Sequence, residues 1–285
     1  MTTWVLLRGL TRESRHWGTF PDVLATHLPG ARIVAIDLPG NGTLNALRSP
    51  LRAEAMAAHC RAELGARSLP PPYALLAMSL GAMVATAMAV HLPHEVECMV
   101  LVNTSMRPFS RFDERLRPNN CARLLRLALL PHADRAAEEL VLAMTSERSA
   151  KAPPCGSAEV LARWVAIRRS APVSRANALR QLIAATRFTA PRAAPIAKVL
   201  VLTSAHDALV STRCSQQLAH AWRCPVASHP TAGHDLPLDD APWVARQVQA
   251  WLGVTGQGVK GPGEKGPGVT DQGVTGQGVA GGQAG

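Results

Sequence analysis

Three side chains, far apart in the sequence, have the types needed for nucleophilic catalysis: Ser79, Asp207 and His234. Ser79 lies in the stretch YALLAMSLGA, residues 73–82. Residues 73–78 are short, apolar and preceded by Pro70-Pro71-Pro72, which predicts a buried strand, and the alanine-rich residues 82–90 predict a helix. A serine on such a strand-to-helix corner needs a strained backbone to project its hydroxyl above the sheet, with small residues two before and two after it. Ala77 and Gly81 meet that demand. A serine hydroxyl is a poor nucleophile at its own pKa, so the corner calls for an imidazole base and a carboxylate to orient it. His234 lies just beyond the last predicted strand, in Thr231-Ala232-Gly233-His234-Asp235, where the glycine lets the ring reach back across the strand ends. Asp207 stands just beyond the run 199–204, after Ala205 and His206. His206 points the opposite way along an extended backbone. Asp235, Asp239 and Asp240 read as caps and solvated charges, His91 and His94 as a loop pair, and no metal-ligand set emerges.

The elements that must position these residues alternate. Residues 4–7, 31–37, 73–78, 96–102, 198–204 and 226–229 read as strands, and 16–28, 51–64, 82–90, 211–222 and 242–252 as helices, the last with Asp240 as N-cap and Pro242 in its first turn. Such alternation predicts an α/β fold: a mostly parallel central sheet with helices on both faces and ligands bound at the carboxyl ends of the strands. The alternation stops at Met106. Residues 106–195 read as helical throughout, with amphipathic stretches at 120–130, 134–144, 158–169 and 174–187 separated by prolines. The expected organisation is therefore a core of 1–105 and 196–252, a helical insertion at 106–195 and a tail at 253–285. That tail is a series of imperfect glycine-rich pentads. Spacing by five excludes a collagen helix, and with almost nothing large to bury the tail is expected to be disordered.

The order Ser79, Asp207, His234 on these strands resembles the α/β-hydrolase fold superfamily, over residues 4–252. Four local signatures carry the resemblance: AMSLG at 77–81, SAHDALV at 204–210, AGHDLPLDD at 232–240, and DLPGNG at 37–42, similar to the family's usual D-L-P-G-x-G. The resemblance implies a serine hydrolase with a helical cap over its site, no cofactor, and oxyanion-hole N–H groups from Leu10 and Leu80. Two positions depart from the family pattern. Ala77 stands for the first elbow glycine, and Arg8-Gly9 for the usual His-Gly, so the hydrogen bonds that histidine makes to shape the oxyanion loop must come from elsewhere.

The expected reaction is cleavage of a carboxylic ester, with thioester and amide as related bonds, on a small-molecule acyl substrate. Acyl transfer or C–C/C–N cleavage on the same triad is one alternative. A non-catalytic protein whose basic cap holds an anionic ligand is another. Dehalogenase or epoxide-hydrolase chemistry calls for an aspartate at the elbow and is disfavoured. The net charge of +10 is local: residues 106–195 hold 16 basic and 7 acidic side chains, which supply +9 of it. With aromatics only 4% of the chain, the base-stacking surface of single-strand binders is missing, and nucleic acid is not expected as a partner. The scattered cysteines suggest neither a zinc site nor a disulfide framework. The absence of a long apolar run, and an opening MTTWVLLRG unlike a signal segment, predict a cytoplasmic protein without a transmembrane segment.

Overall fold

The computed structural model describes residues 2–129, 133–147 and 154–253. The expectation for the tail lies, apart from Gly253, outside the described residues. Six strands, β1 (Thr3–Leu7), β2 (Arg32–Ile36), β3 (Tyr73–Met78), β4 (Val96–Val102), β5 (Val199–Ser204) and β6 (Val226–His229), form one sheet in the order β2-β1-β3-β4-β5-β6. Every pairing is parallel. The period of two along each strand divides its side chains between the faces. Val5 and Leu7 of β1, Leu75 and Ala77 of β3, and Met99 and Leu101 of β4 enter one core. Trp4 and Leu6, Ala74 and Leu76, and Val100 and Val102 enter the other.

Helices cover both faces. On the first lie α2 (Ala53–Ala66), α3 (Leu80–His91) and, later in the chain, the helix Thr212–Trp222. On the second lie α1 (Phe20–His27) and the final helix Ala241–Trp251. The sequence predicts one helix over 16–28; the structure has a 3-10 turn at Ser14–Trp17 and then α1, because Gly18 turns to φ 58° and Pro21 sits in the first turn of the new helix.

Between β4 and β5 the described chain is helical: α4 (Phe112–Arg115), α5 (Pro118–Leu129), α6 (Asp134–Thr145), α7 (Pro154–Ser170) and α8 (Arg175–Arg187). Leu142, Leu161, Trp164, Val165 and Ile167 of α6 and α7 form a third small core of their own. An isolated parallel bridge between Arg107 and Thr189 brings the two ends of this segment together beside the sheet. The remaining helices are α9 (Thr212–Trp222), the unforeseen turn α10 (Leu236–Asp239) and α11 (Ala241–Trp251), where Asp240 accepts from the Trp243 amide at 2.9 Å as the expected N-cap. No helix among the described residues is long and apolar enough to cross a membrane.

Candidate active site

Ser79 sits between β3 and α3 at φ 54° and ψ −118°, a conformation that costs a residue with a side chain on the order of 1–3 kcal/mol. The corner is held from both sides: the Ser79 amide donates to Val102 O at 3.0 Å, and Thr104 Oγ1 donates to Ser79 O at 3.1 Å. A serine kept at a helix start for structural reasons would spend its hydroxyl on a first-turn amide. Ser79 makes no such side-chain bond. Gly81 is fixed by close approach, since a Cβ there would stand 2.4 Å from Leu7 O and 2.6 Å from Arg8 O. The backbone of β1 thus lies against the start of α3. A Cβ on Gly9 would likewise come within 3.1 Å of Ser79 Cβ.

His234 and Asp207 come together from two strand ends. His234 Nδ1 lies 2.7 Å from Asp207 Oδ2, with both side chains buried. The other carboxylate oxygen, Oδ1, accepts from the amides of Leu209 and Val210 at 2.8 and 2.9 Å. Asp207 is therefore both the knot of its own turn and the partner of the imidazole. Its two anchoring amides fix the oxygen that faces His234, leaving Nε2 of the ring available for a hydroxyl. Burial alone lowers the His234 pKa; the Asp207 carboxylate, through charge and hydrogen bond, and Asp235 outweigh that burial and the opposing charge of Arg8, so the imidazole titrates above its ordinary 6.5.

The loop carrying His234 is positioned by residues that carried no obvious signal in the sequence. Asn103, at the end of β4, donates through Nδ2 to His234 O at 2.8 Å, Gly233 O at 3.2 Å and Ser204 Oγ at 2.9 Å, and accepts from the Ser204 amide at 2.9 Å. It adopts φ 44° and is 1% exposed. Asp239 and Asp235, expected as solvated charges, are both buried. Asp239 accepts from the Gly233 amide at 2.7 Å and from Ser146 Oγ at 2.5 Å, tying this loop to the end of α6.

Asp235 pairs with Arg8 in a two-pronged salt bridge: Nη1 to Oδ1 at 3.0 Å and Nη2 to Oδ2 at 2.6 Å, with each side chain 3% exposed. The Arg8 guanidinium also stacks on Trp17, 4.8 Å from the ring centroid. The residue standing in for the family's histidine thus reaches past its own loop and grips the neighbour of His234. The bonds that shape the loop after β1 come from elsewhere: the Arg12 amide closes on Gly9 O at 3.2 Å, the Thr11 amide donates to Gln181 Oε1 at 2.8 Å, and Asn41 Nδ2 donates to Arg12 O at 2.9 Å. Gln181 Nε2 donates in turn to Asn41 Oδ1 at 2.7 Å. Asn41 belongs to the DLPGNG turn, so that turn serves as a brace for the loop. Within it Asp37 accepts from the Ser14 amide at 2.7 Å and the Thr43 amide at 3.0 Å, and Gly42 has no room for a side chain, since a Cβ would stand 2.2 Å from Asp37 Oδ2.

Ser79, His234, Leu10 and Leu80 all line one cavity of about 570 Å³, to which the segment from α4 to α8 adds aliphatic side chains such as Leu116, Leu124, Leu127, Val141, Ile167 and Leu182. Leu80 opens α3, where first-turn amides have no intrahelical partner and the helix dipole favours negative charge. His206 is exposed, 3.9 Å from Glu147, and does not line the cavity. His91 and His94 are also exposed. Among the described residues no group of histidine, cysteine and carboxylate side chains could hold a metal, and Cys60, Cys98, Cys214 and Cys224 are free thiols.

The chain is similar in fold to the thermophilic esterase from Thermogutta terrifontis (20% identity, 88% of this chain and 89% of that one, TM-score 0.69) and to the enol-lactonase from Burkholderia xenovorans LB400 (18% identity, 88% and 91%, TM-score 0.71). It is similar as well to the esterase RhEst1 from Rhodococcus sp. ECU1013 (20% identity, 90% and 91%, TM-score 0.68). No match is found among curated proteins. The family profile described as "Alpha/beta hydrolase family" matches residues 4–247, from the first strand into the last helix. With sequence profile and sheet topology in agreement over that length, the chain belongs to the alpha/beta hydrolase family.

Proposed function

We propose that the protein is a serine hydrolase that cleaves a carboxylic ester through an acyl-enzyme. The observation that supports this most is a strained Ser79 with no capping bond, sharing a cavity with a histidine whose Nδ1 is already committed to Asp207. In this reading Ser79 Oγ attacks the ester carbonyl while His234 Nε2 takes its proton. The oxyanion is received by the Leu10 and Leu80 amides, and the imidazolium is stabilised by Asp207. His234 then returns the proton to the leaving alkoxide, the C–O bond breaks, and an acyl-Ser79 ester remains. A water deprotonated by His234 attacks that ester, releasing the acid and restoring the serine.

Wild-type protein is expected to hydrolyse 4-nitrophenyl esters of short and medium acyl chains, and Ser79→Ala, folded to the same extent by circular dichroism, to lose that turnover. Equal turnover by the two proteins would refute the reading.

The pH dependence follows from His234. The base must be neutral to accept a proton, and its pKa is raised, so kcat/KM should fall as pH drops through a value above 6.5. Asp207→Asn removes the largest stabiliser of the imidazolium and should move that acid limb downward while lowering its plateau. A stopped-flow pH profile of both proteins checks the direction.

A further inference from the structure

The cavity wall carries charged side chains as well as aliphatic ones. Arg8, Arg12, Arg115, Arg168 and Arg175 line it, against Glu13, Glu138 and Asp235. Asp235 is taken by Arg8. Glu13 pairs with Arg15, which does not line the cavity. Glu138, 2% exposed, has two guanidinium partners: Oε2 accepts from Arg12 Nη1 at 2.7 Å and Oε1 from Arg168 Nη1 at 3.2 Å, while Arg168 Nε also donates to Asp134 Oδ1 at 3.1 Å.

Arg12 thus shares Glu138 with Arg168. Its side chain is 10% exposed, its guanidinium stacks on Trp164 at 4.3 Å from the ring centroid, and its Nη2 is buried with no hydrogen-bond partner. His16, 2.9 Å from Arg12 Nη1, offers no compensating charge: burial and the charges of Arg12 and Arg8 push its pKa well below 6.5 and keep it neutral. A buried guanidinium stays protonated, and an unmet donor on it costs more than an unmet neutral one.

We propose that Arg12 is a substrate-binding residue for a carboxylate, and that the ester cleaved is a hemi-ester of a dicarboxylic acid. Its free acid end meets Arg12, and the methylene chain between lies on the aliphatic wall. A single guanidinium with one open nitrogen matches a monoanion better than a phosphate dianion. Arg12 lies two residues beyond Leu10, so one loop addresses both the scissile carbonyl and the distal acid. This inference rests on the esterase reading, and its test separates the two.

Monomethyl and dimethyl esters of succinate, glutarate, adipate and suberate are compared by pH-stat at equal chain length. For the best chain length the monomethyl ester should be preferred in kcat/KM by about tenfold or more, as a charge-assisted contact would give. In Arg12→Gln that preference should fall about tenfold. A purely structural role for Arg12 would lower both esters together and leave the ratio unchanged; that result, or a preference for the dimethyl ester at every length, overturns the proposal. If wild type hydrolyses 4-nitrophenyl esters but neither methyl ester at any length, the hemi-ester proposal is overturned and the esterase reading stands; if it hydrolyses no ester of either kind, the esterase reading fails, and calorimetry of glutarate, adipate and suberate on Ser79→Ala decides the anion site alone. Binding that disappears in Ser79→Ala/Arg12→Gln supports it, and no binding of any of the three overturns it.

Discussion

His234→Ala is expected to lower kcat on an activated ester by on the order of a millionfold, close to the loss from Ser79→Ala, because serine and base act as a unit. The double variant should be little worse than either single one. Asp207→Ala should cost less, on the order of ten-thousandfold, since the ring keeps its proton-accepting nitrogen and loses its orientation and counter-charge. Single-turnover kinetics with a 4-nitrophenyl ester measures all four variants. The ranking is informative because each side chain has a different structural debt. Asp207 anchors two backbone amides, so its loss should also lower thermal stability, whereas His234→Ala should leave the turn at Leu209 and Val210 intact.

The second large effect concerns the pair that replaces the family's usual arrangement. Arg8→Met leaves Asp235 as a buried carboxylate without its guanidinium and should cost about 3–5 kcal/mol of folding stability in urea denaturation. Arg8→Met/Asp235→Leu should regain most of it, because two apolar groups leave nothing unsolvated behind. Arg8 also precedes Gly9 and Leu10, so Arg8→Met should reduce kcat through a displaced oxyanion amide, a loss worth up to about 3–4 kcal/mol in the transition state. The pH profile separates positioning from mere packing. The charged groups acting on His234 are Asp207, Asp235 and Arg8, the first two raising its pKa and the last lowering it. Arg8→Met should therefore move the acid limb of kcat/KM up and Asp235→Asn should move it down. A packing role alone predicts shifts of no fixed sign.

How much of this was legible in the sequence depends on whether a feature has a local cause. The six strands were readable because parallel strands buried on both faces are continuous apolar runs, and Asp240 was readable as a cap because capping is decided within one turn. The break at Gly18 is masked by the helical spacing of Trp17, Phe20 and Leu24, which runs straight through it. Residues defined by long-range contacts were not legible. Asn103 looks like any polar residue ending a strand until the loop 131 positions later folds over it. Asp235 reads as a surface charge in AGHDLPLDD because its partner is 227 residues away. Gln181 and Asn41 are a helix amide and a turn amide whose role exists only once both reach the loop after β1. Arg8 departs from the family pattern within its own loop, but its role is set by Asp235, 227 residues away.

The most direct test of the central claim is the site of covalent labelling by a fluorophosphonate, which reports a serine activated by its base without needing the natural substrate. Wild-type protein should take up one equivalent, with tandem mass spectrometry placing the adduct on Ser79, and His234→Ala should label far more slowly. Folded wild type that remains unlabelled, or an adduct on any other residue, would contradict the assignment of Ser79 as the nucleophile.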